Sequence, residues 1–348
     1  MTLVGQGAAP GAGAGPAAAA TPPRPSGGFR NLGSARWRRR NLTFDKISFF
    51  GVFLVVPLLL YVAFVVSPFA QAAYFSLTSW SGFSPEVPFV GLQNYVRLFG
   101  DDTFRRAVGN SVILALVLPS VTLALAMFFA TLVTVGGSSR GNVRGLAGSN
   151  VYRIVSFFPY VIPAIVIGLI WSQIYDPNSG ILNGVLTRLG LDRFTSFAWL
   201  GEVSTARLAV MFVIVWGLVG FYMVLFIAAI KGIPAEIFEA ARVDGAGRFR
   251  TAVTITIPLV RDNIQTAYIY MGILALDAFV YMAALEPGGG PENTTLVMSQ
   301  QLFTTAFTKG QFGYACAMGV VLAVITLAYA ALVFVVNRLT GGGNEVAE

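Results

Sequence analysis

Asp277 stands inside an apolar run, residues 264–285, with Tyr270, Leu274 and Tyr281 at −7, −3 and +4 from it. If the run is helical, the four share one face, and an ionisable residue in such a run faces a cavity or a partner. A carboxylate and two phenols, with apolar ring faces beside them, suit a solute rich in hydroxyls. Asp277 at the outer interface, or paired with an adjacent helix, is an equal alternative. Other chemistry is scarce. The 348 residues contain no histidine, which excludes His-based metal sites, Ser-His-Asp triads and histidine proton relays. Cys316 is the sole cysteine, so no disulfide forms within the chain. Phosphate cradling by a P-loop needs a glycine-rich turn and a lysine followed by Ser or Thr. Lys46, Lys231 and Lys309 are the lysines, and none has that context. No catalytic residue and no metal ligand is nominated.

The elements that must position these residues are set by composition. Hydrophobic residues make up 55% and charged residues 11%, with a mean hydropathy of +0.71; soluble domains carry roughly 25% charged residues. Six runs near the ~20 residues needed to span a bilayer cover approximately 48–69, 109–135, 154–175, 207–230, 264–285 and 313–336. Their apolar residues do not alternate with polar ones as barrel strands do. The fold class is therefore all-α, a polytopic membrane protein with six transmembrane helices. Sixteen of the 23 Lys and Arg residues fall before the first run, in the loops after the second and fourth, or in the tail. Positive charge is retained on the cytoplasmic side, which puts both termini there. The net charge of +7 follows from this asymmetry and implies no nucleic-acid partner.

Residues 1–28 are Ala-, Gly- and Pro-rich, and they read as a disordered cytoplasmic tail because little apolar surface offsets the entropy of ordering them. Residues 29–46 form a basic juxtamembrane segment whose Arg36, Arg38, Arg39 and Arg40 face lipid headgroups beside Trp37. The six-helix domain covers 47–340, and 341–348 form a second cytoplasmic tail. Ala70-Gln71-Ala72 resembles a signal-peptidase site, but the preceding apolar run is about twice the 7–15 or so residues of a signal core. The first run therefore reads as an uncleaved helix. Pro159 and Pro163 should kink the third helix.

Between the fourth and fifth runs lies the stretch EIFEAARVDGAGRFRTAVTITIP, residues 236–258 of a loop spanning 231–262. Pro234 suits a helix start, and Glu236 and Glu239 lie near the positive end of the dipole. Asp244-Gly245 should end this first short helix, with glycine free to turn left-handed. A second short helix carries Arg248 and Arg250 and stops near Pro258. Ile237, Phe238 and Ala241 should together present a small apolar patch to the cytoplasm, on which something docks.

Glu239-Ala240-Ala241, three residues, Gly245, nine residues and Ile255-x-Ile257-Pro258 resemble the EAA loop of binding-protein-dependent ABC importer permeases. Ile257 replaces the usual leucine. FVGLQNYVRLF, FFPYVIPAIVIGLIW, YDPNSGILNGVLTRLGL, EAARVDGAGRF and GGGPENTT follow one another in the order seen in carbohydrate-type permeases related to the maltose transporter's membrane subunits. The resemblance spans roughly residues 45–340.

It implies that Glu239, Ala240, Ala241, Asp244, Gly245, Ile255 and Pro258 form the coupling segment that enters a cleft of an ATPase subunit. Substrate contacts would come from the middles of the flanking helices, which adds Trp216, Gly217, Phe221 and Tyr222 to Tyr270, Asp277 and Tyr281. The implied partners are a second homologous permease, two ATPase subunits and an extracytoplasmic solute-binding lipoprotein or periplasmic protein. The binding protein would sit near residues 80–108 and 286–312, and the solute would be a disaccharide or oligosaccharide. ATP and Mg would be bound by the ATPase subunits, with no cofactor in this chain, in a bacterial cytoplasmic membrane. The competing readings are a permease of the same class for a non-sugar solute and an ion-coupled carrier. The carrier predicts inverted repeats and several mid-membrane charges, whereas Asp277 is nearly solitary.

Overall fold

The computed structural model describes residues 48–134 and 149–340, and all elements named here belong to them. The expectations for residues 1–28, 29–46 and 341–348 lie outside the described residues. By internal contacts the chain divides into two compact units, one ending at Leu58 and one beginning at Leu59. Among the described residues there is no strand, only an isolated bridge between Thr78 and Phe89.

Four helices are long and apolar enough to cross a membrane unaided: α1 (Ser48–Phe75), α3 (Asp102–Thr134), α7 (Ala206–Lys231) and α13 (Phe312–Leu339). Two bent helix pairs pass the same test when each is taken together. The pair α4 (Ser149–Val161) and α5 (Ala164–Ile174) bends by 94°, and the pair α10 (Arg261–Leu276) and α11 (Phe279–Leu285) bends by 46°. Counting each pair once gives up to six spans, at the positions expected from hydropathy. The first break follows from Pro163, whose missing N–H and fixed φ forbid a continuing helix. It instead caps α5 with extended geometry, φ −54 and ψ 136.

Short helices occupy the connections: α2 (Gln93–Gly100), α6 (Ile181–Arg188), α8 (Ala235–Val243), α9 (Arg248–Thr251) and α12 (Met298–Phe303). The core lies where α3 meets α7 and α10. Leu114 and Leu118 of α3, Val210, Ile214 and Phe226 of α7, and Met271 and Ala275 of α10 are fully or almost fully buried there. Lipid offers no hydrophobic gain for bringing helices together, so close approach of small residues does much of that work. A β-carbon at Gly220 of α7 would sit 1.7 Å from the Ser156 carbonyl oxygen, so the α4 backbone touches α7 there. No side chain of α1 is buried, as expected of a helix facing lipid or another subunit.

Candidate functional site

Two places gather the candidate residues. The first is the aromatic cluster beside the break in the α4–α5 span. Tyr160, three residues before Pro163, stacks on Phe221 of α7 with ring centroids 4.5 Å apart, and Tyr222 meets Phe221 edge-on at 5.1 Å. Tyr281 of α11 reaches the same region, because its hydroxyl lies 3.2 Å from where a Gly217 β-carbon would stand. Gly217 thus leaves room for a phenol. Trp216 lies edge-to-face with Trp171 of α5 at 5.4 Å, and the buried Trp171 indole N–H has no partner among the described residues. Broken helices that converge on polar and aromatic groups are the usual material of solute sites in transporters. Tyr160 belongs to this cluster although sequence reading did not single it out. Its position between Pro159 and Pro163 was the available signal.

Asp277 does not share a helical face with Tyr270 and Tyr281. The helix ends at Leu276, and Asp277 takes φ −110 and ψ 51 as its C-cap, so the turn that would carry the face onward is missing. Tyr281 is consequently turned inward toward Gly217, while Tyr270 remains 69% exposed on α10 and Leu274 is half-buried. Asp277 opens instead on a separate cavity of about 810 Å³, with Ser299 and Thr326 among phenylalanines 69, 279 and 303.

The second place is the hairpin of α8 and α9. Pro234 caps α8 with extended geometry, and Glu236 lies in the first turn. Gly245 has φ +73, and its N–H donates to the Arg242 carbonyl at 3.0 Å while the Ala246 N–H donates to the Ala241 carbonyl at 2.9 Å. Those two bonds make a Schellman cap, which needs a left-handed residue at the position after Asp244. The chain then re-enters a helix through Gly247, passes a wider turn at Ala252–Thr256 and reaches Leu259, just beyond Pro258. Glu239, Ala240, Asp244, Gly245 and Pro258 are exposed, Ile255 is half-buried and Ala241 is buried.

The apolar patch expected of Ile237, Phe238 and Ala241 does not face outward as a unit, since Ile237 is half-buried and the other two are buried. Phe238 is 4% exposed and packs into the core with Ala241 buried beside it, because that face of α8 anchors the hairpin to the bundle. The apolar side chains offered outward are Val243 at 88% and Phe249 at 83% exposure.

On the opposite side of the bundle, the glycine-rich turn after α11 is tied down by polar side chains. Asn110 of α3 donates to the Asn293 carbonyl at 2.8 Å and the Leu296 carbonyl at 2.9 Å, and accepts from Arg207 Nη2 at 2.8 Å. Glu292 and Asn293 sit at φ 51 and 61, a conformation such residues hold only when neighbours fix it. Beside this turn, burial pushes the Glu286 carboxyl up to about 7. After α5, the Asp176 carboxylate accepts from the backbone N–H groups of Ser179 and Asn178, which holds it below the usual carboxylate range.

A bundle of apolar helices, two of them broken beside an aromatic cluster, with a capped polar hairpin at one end, is the architecture of a membrane transport subunit. The chain belongs to the family of binding-protein-dependent transport system inner membrane components, which matches residues 132–341. It is 63% identical over 308 residues to the diacetylchitobiose uptake system permease protein NgcF of Streptomyces coelicolor, covering 88% of this chain and 87% of that one. It is 40% identical over 274 residues to the probable ABC transporter permease protein YurN of Bacillus subtilis, covering 79% and 91%. Its fold matches, with a TM-score of 0.72 at 20% identity, a chain in the crystal structure of a bacterial ABC transporter involved in the import of the acidic polysaccharide alginate, covering 85% of this chain and 97% of that chain.

Proposed function

We propose that the chain is the permease subunit of an ATP-driven importer and forms half of a translocation pathway for a disaccharide or oligosaccharide, with diacetylchitobiose the leading solute. The observation that carries this reading is the 63% identity, sustained over 88% of the chain, to a permease of diacetylchitobiose uptake. Both termini and the α8–α9 hairpin face the cytoplasm, following the distribution of Lys and Arg. A second homologous permease completes the pathway, an extracytoplasmic binding protein delivers the sugar, and two ATPase subunits bind ATP and Mg. The ATPase pair grips the hairpin through exposed Glu239, Asp244 and Gly245, with Val243 and Phe249 as apolar contacts. Closure of that pair rocks the bundle between outward and inward openings.

Within the pathway the chain's own residues bind and orient. Tyr160 and Phe221 offer stacked ring faces to a pyranose, and the Tyr222 and Tyr281 phenols exchange hydrogen bonds with its hydroxyls. An acetamido methyl would pack beside Trp216. The reading is tested by uptake of labelled diacetylchitobiose in cells lacking this chain and then supplied with it alongside its partners. Uptake should return, and an excess of unlabelled diacetylchitobiose, but not of maltose, should suppress it. Restored uptake of maltose with none of diacetylchitobiose would refute the solute assignment.

A further inference from the structure

The last turn of α13 is tied to the first turn of α10 by one side chain. Arg261 Nε donates to Asn337 Oδ1 at 2.9 Å, Nη1 to the Thr340 carbonyl at 2.8 Å, and Nη2 both to the Asn337 carbonyl at 3.2 Å and to Thr340 Oγ1. A guanidinium carries five N–H donors, so one on Nη1 is left over. All four acceptors are neutral, and no carboxylate among the described residues pairs with this cation; Asp262, its neighbour in sequence, makes no ion pair with it. Gln265, one turn along α10, accepts from Asn337 Nδ2 through its Oε1, while its own amide N–H groups have no partner among the described residues. The mouth is thus rich in donors, and among the described residues no acid pairs with its positive charge.

A groove of about 400 Å³ runs from this mouth between α10 and α13 as far as Leu116 of α3. Ile264, Leu332 and Val336 wall it, and Tyr268 and Tyr329, stacked at 6.2 Å, lie deeper. The Tyr268 hydroxyl is already engaged by Ser120 Oγ at 3.2 Å, and that of Tyr329 by the Tyr268 carbonyl at 3.1 Å, so the deep end offers apolar ring faces. Tyr268 lies seven residues from Arg261, about 10 Å along a helix rising 1.5 Å per residue. A cation at a helix end above a hydrocarbon-lined slot of that depth matches one class of molecule.

We propose that this groove binds one anionic phospholipid from the leaflet on the hairpin side. Its phosphodiester sits on the free Arg261 Nη1–H and the Gln265 amide, and an acyl chain runs along Ile264, Leu332 and Val336. Guanidinium is the side chain best suited to phosphate oxygens, and basic groups at the ends of membrane helices are where anionic headgroups collect. A free phosphate would use the mouth and leave the apolar slot empty, which is why a lipid is the occupant. The site depends on the bundle lying in a membrane and not on which solute it carries.

The test uses the complete transporter in phosphatidylcholine vesicles doped with phosphatidylglycerol, followed by native mass spectrometry of the lipids that remain bound. The wild-type chain should retain one phosphatidylglycerol in preference to phosphatidylcholine. Arg261→Gln should reduce that retention by about tenfold, the factor expected for one charge-assisted hydrogen bond. Val336→Trp, which fills the slot and leaves Arg261 in place, should reduce it comparably and decides the matter if Arg261→Gln fails to assemble. Glycerol phosphate, a headgroup without chains, should not displace the lipid. Equal retention by wild type and Val336→Trp, no preference over phosphatidylcholine, or displacement by glycerol phosphate would overturn the proposal.

Discussion

Replacing Gly245 isolates the hairpin's backbone from every side-chain contact. The residue holds φ +73, and a β-carbon built there meets nothing within 4 Å. A substitution therefore adds no clash and removes no packing; it acts through the left-handed conformation that the Schellman cap requires. For a residue with a β-carbon that conformation costs roughly 1–2 kcal/mol, and asparagine tolerates it better. At about 1.4 kcal/mol per factor of ten, the ratio of capped to uncapped hairpin falls about five- to thirtyfold in Gly245→Ala. Gly245→Val, branched at Cβ, should lie at or beyond the upper end, and Gly245→Asn near wild type. The assay is sugar uptake and sugar-stimulated ATP hydrolysis by the complete transporter in proteoliposomes, with sugar capture by the binding protein measured separately. Both transporter activities should fall in the order Gly, Asn, Ala, Val while capture is unchanged. Equal activity of the Val and Asn variants would refute the argument, because side-chain volume alone finds open space at this position.

Gly217→Ala places a methyl 3.2 Å from the Tyr281 hydroxyl, so it should alter apparent sugar affinity while assembly and unfolding temperature stay near wild type, as read from uptake kinetics. Gly220→Ala drives a methyl against the Ser156 carbonyl and should cost about 1–3 kcal/mol or more by overpacking, seen as a lowered unfolding temperature. Asn110→Ala removes its bonds to the Asn293 and Leu296 carbonyls and to Arg207 Nη2; a loss of about 1–3 kcal/mol should appear as faster amide exchange across residues 290–297. Glu286 holds its proton more tightly folded, with a value near 7, than at its ordinary 4.5. Its contribution to stability is therefore full below about 4.5 and lost as the pH rises through 7. Glu286→Gln should flatten that part of the unfolding-temperature profile between pH 5 and 8.

The spans and the hairpin cap were legible because each is written locally. About twenty contiguous apolar residues define a span, and Asp244-Gly245 after an amphipathic turn defines a left-handed stop. The break at Asp277 carries no such mark: neither proline nor glycine stands there, and a continuous helix was the natural reading of residues 264–285. The end of α10 is set by tertiary packing, which turns Tyr281 toward Gly217 and leaves Asp277 facing another cavity. Phe238 misleads for a related reason. An apolar side chain on a short surface helix reads as an outward patch until the bundle that covers it is known. Tyr160 was hidden because its partners, Phe221 and Tyr222, lie more than fifty residues away on another helix.

We propose that this chain moves sugar only when an ATPase subunit drives it. The most direct measurement is accumulation of labelled diacetylchitobiose in proteoliposomes that contain the chain with its partner permease, ATPase subunits and binding protein. Accumulation should require ATP on the hairpin side and be absent when a proton or sodium gradient is supplied without nucleotide. Accumulation driven by an ion gradient alone, or dependence on ATP from the opposite side, would contradict the account.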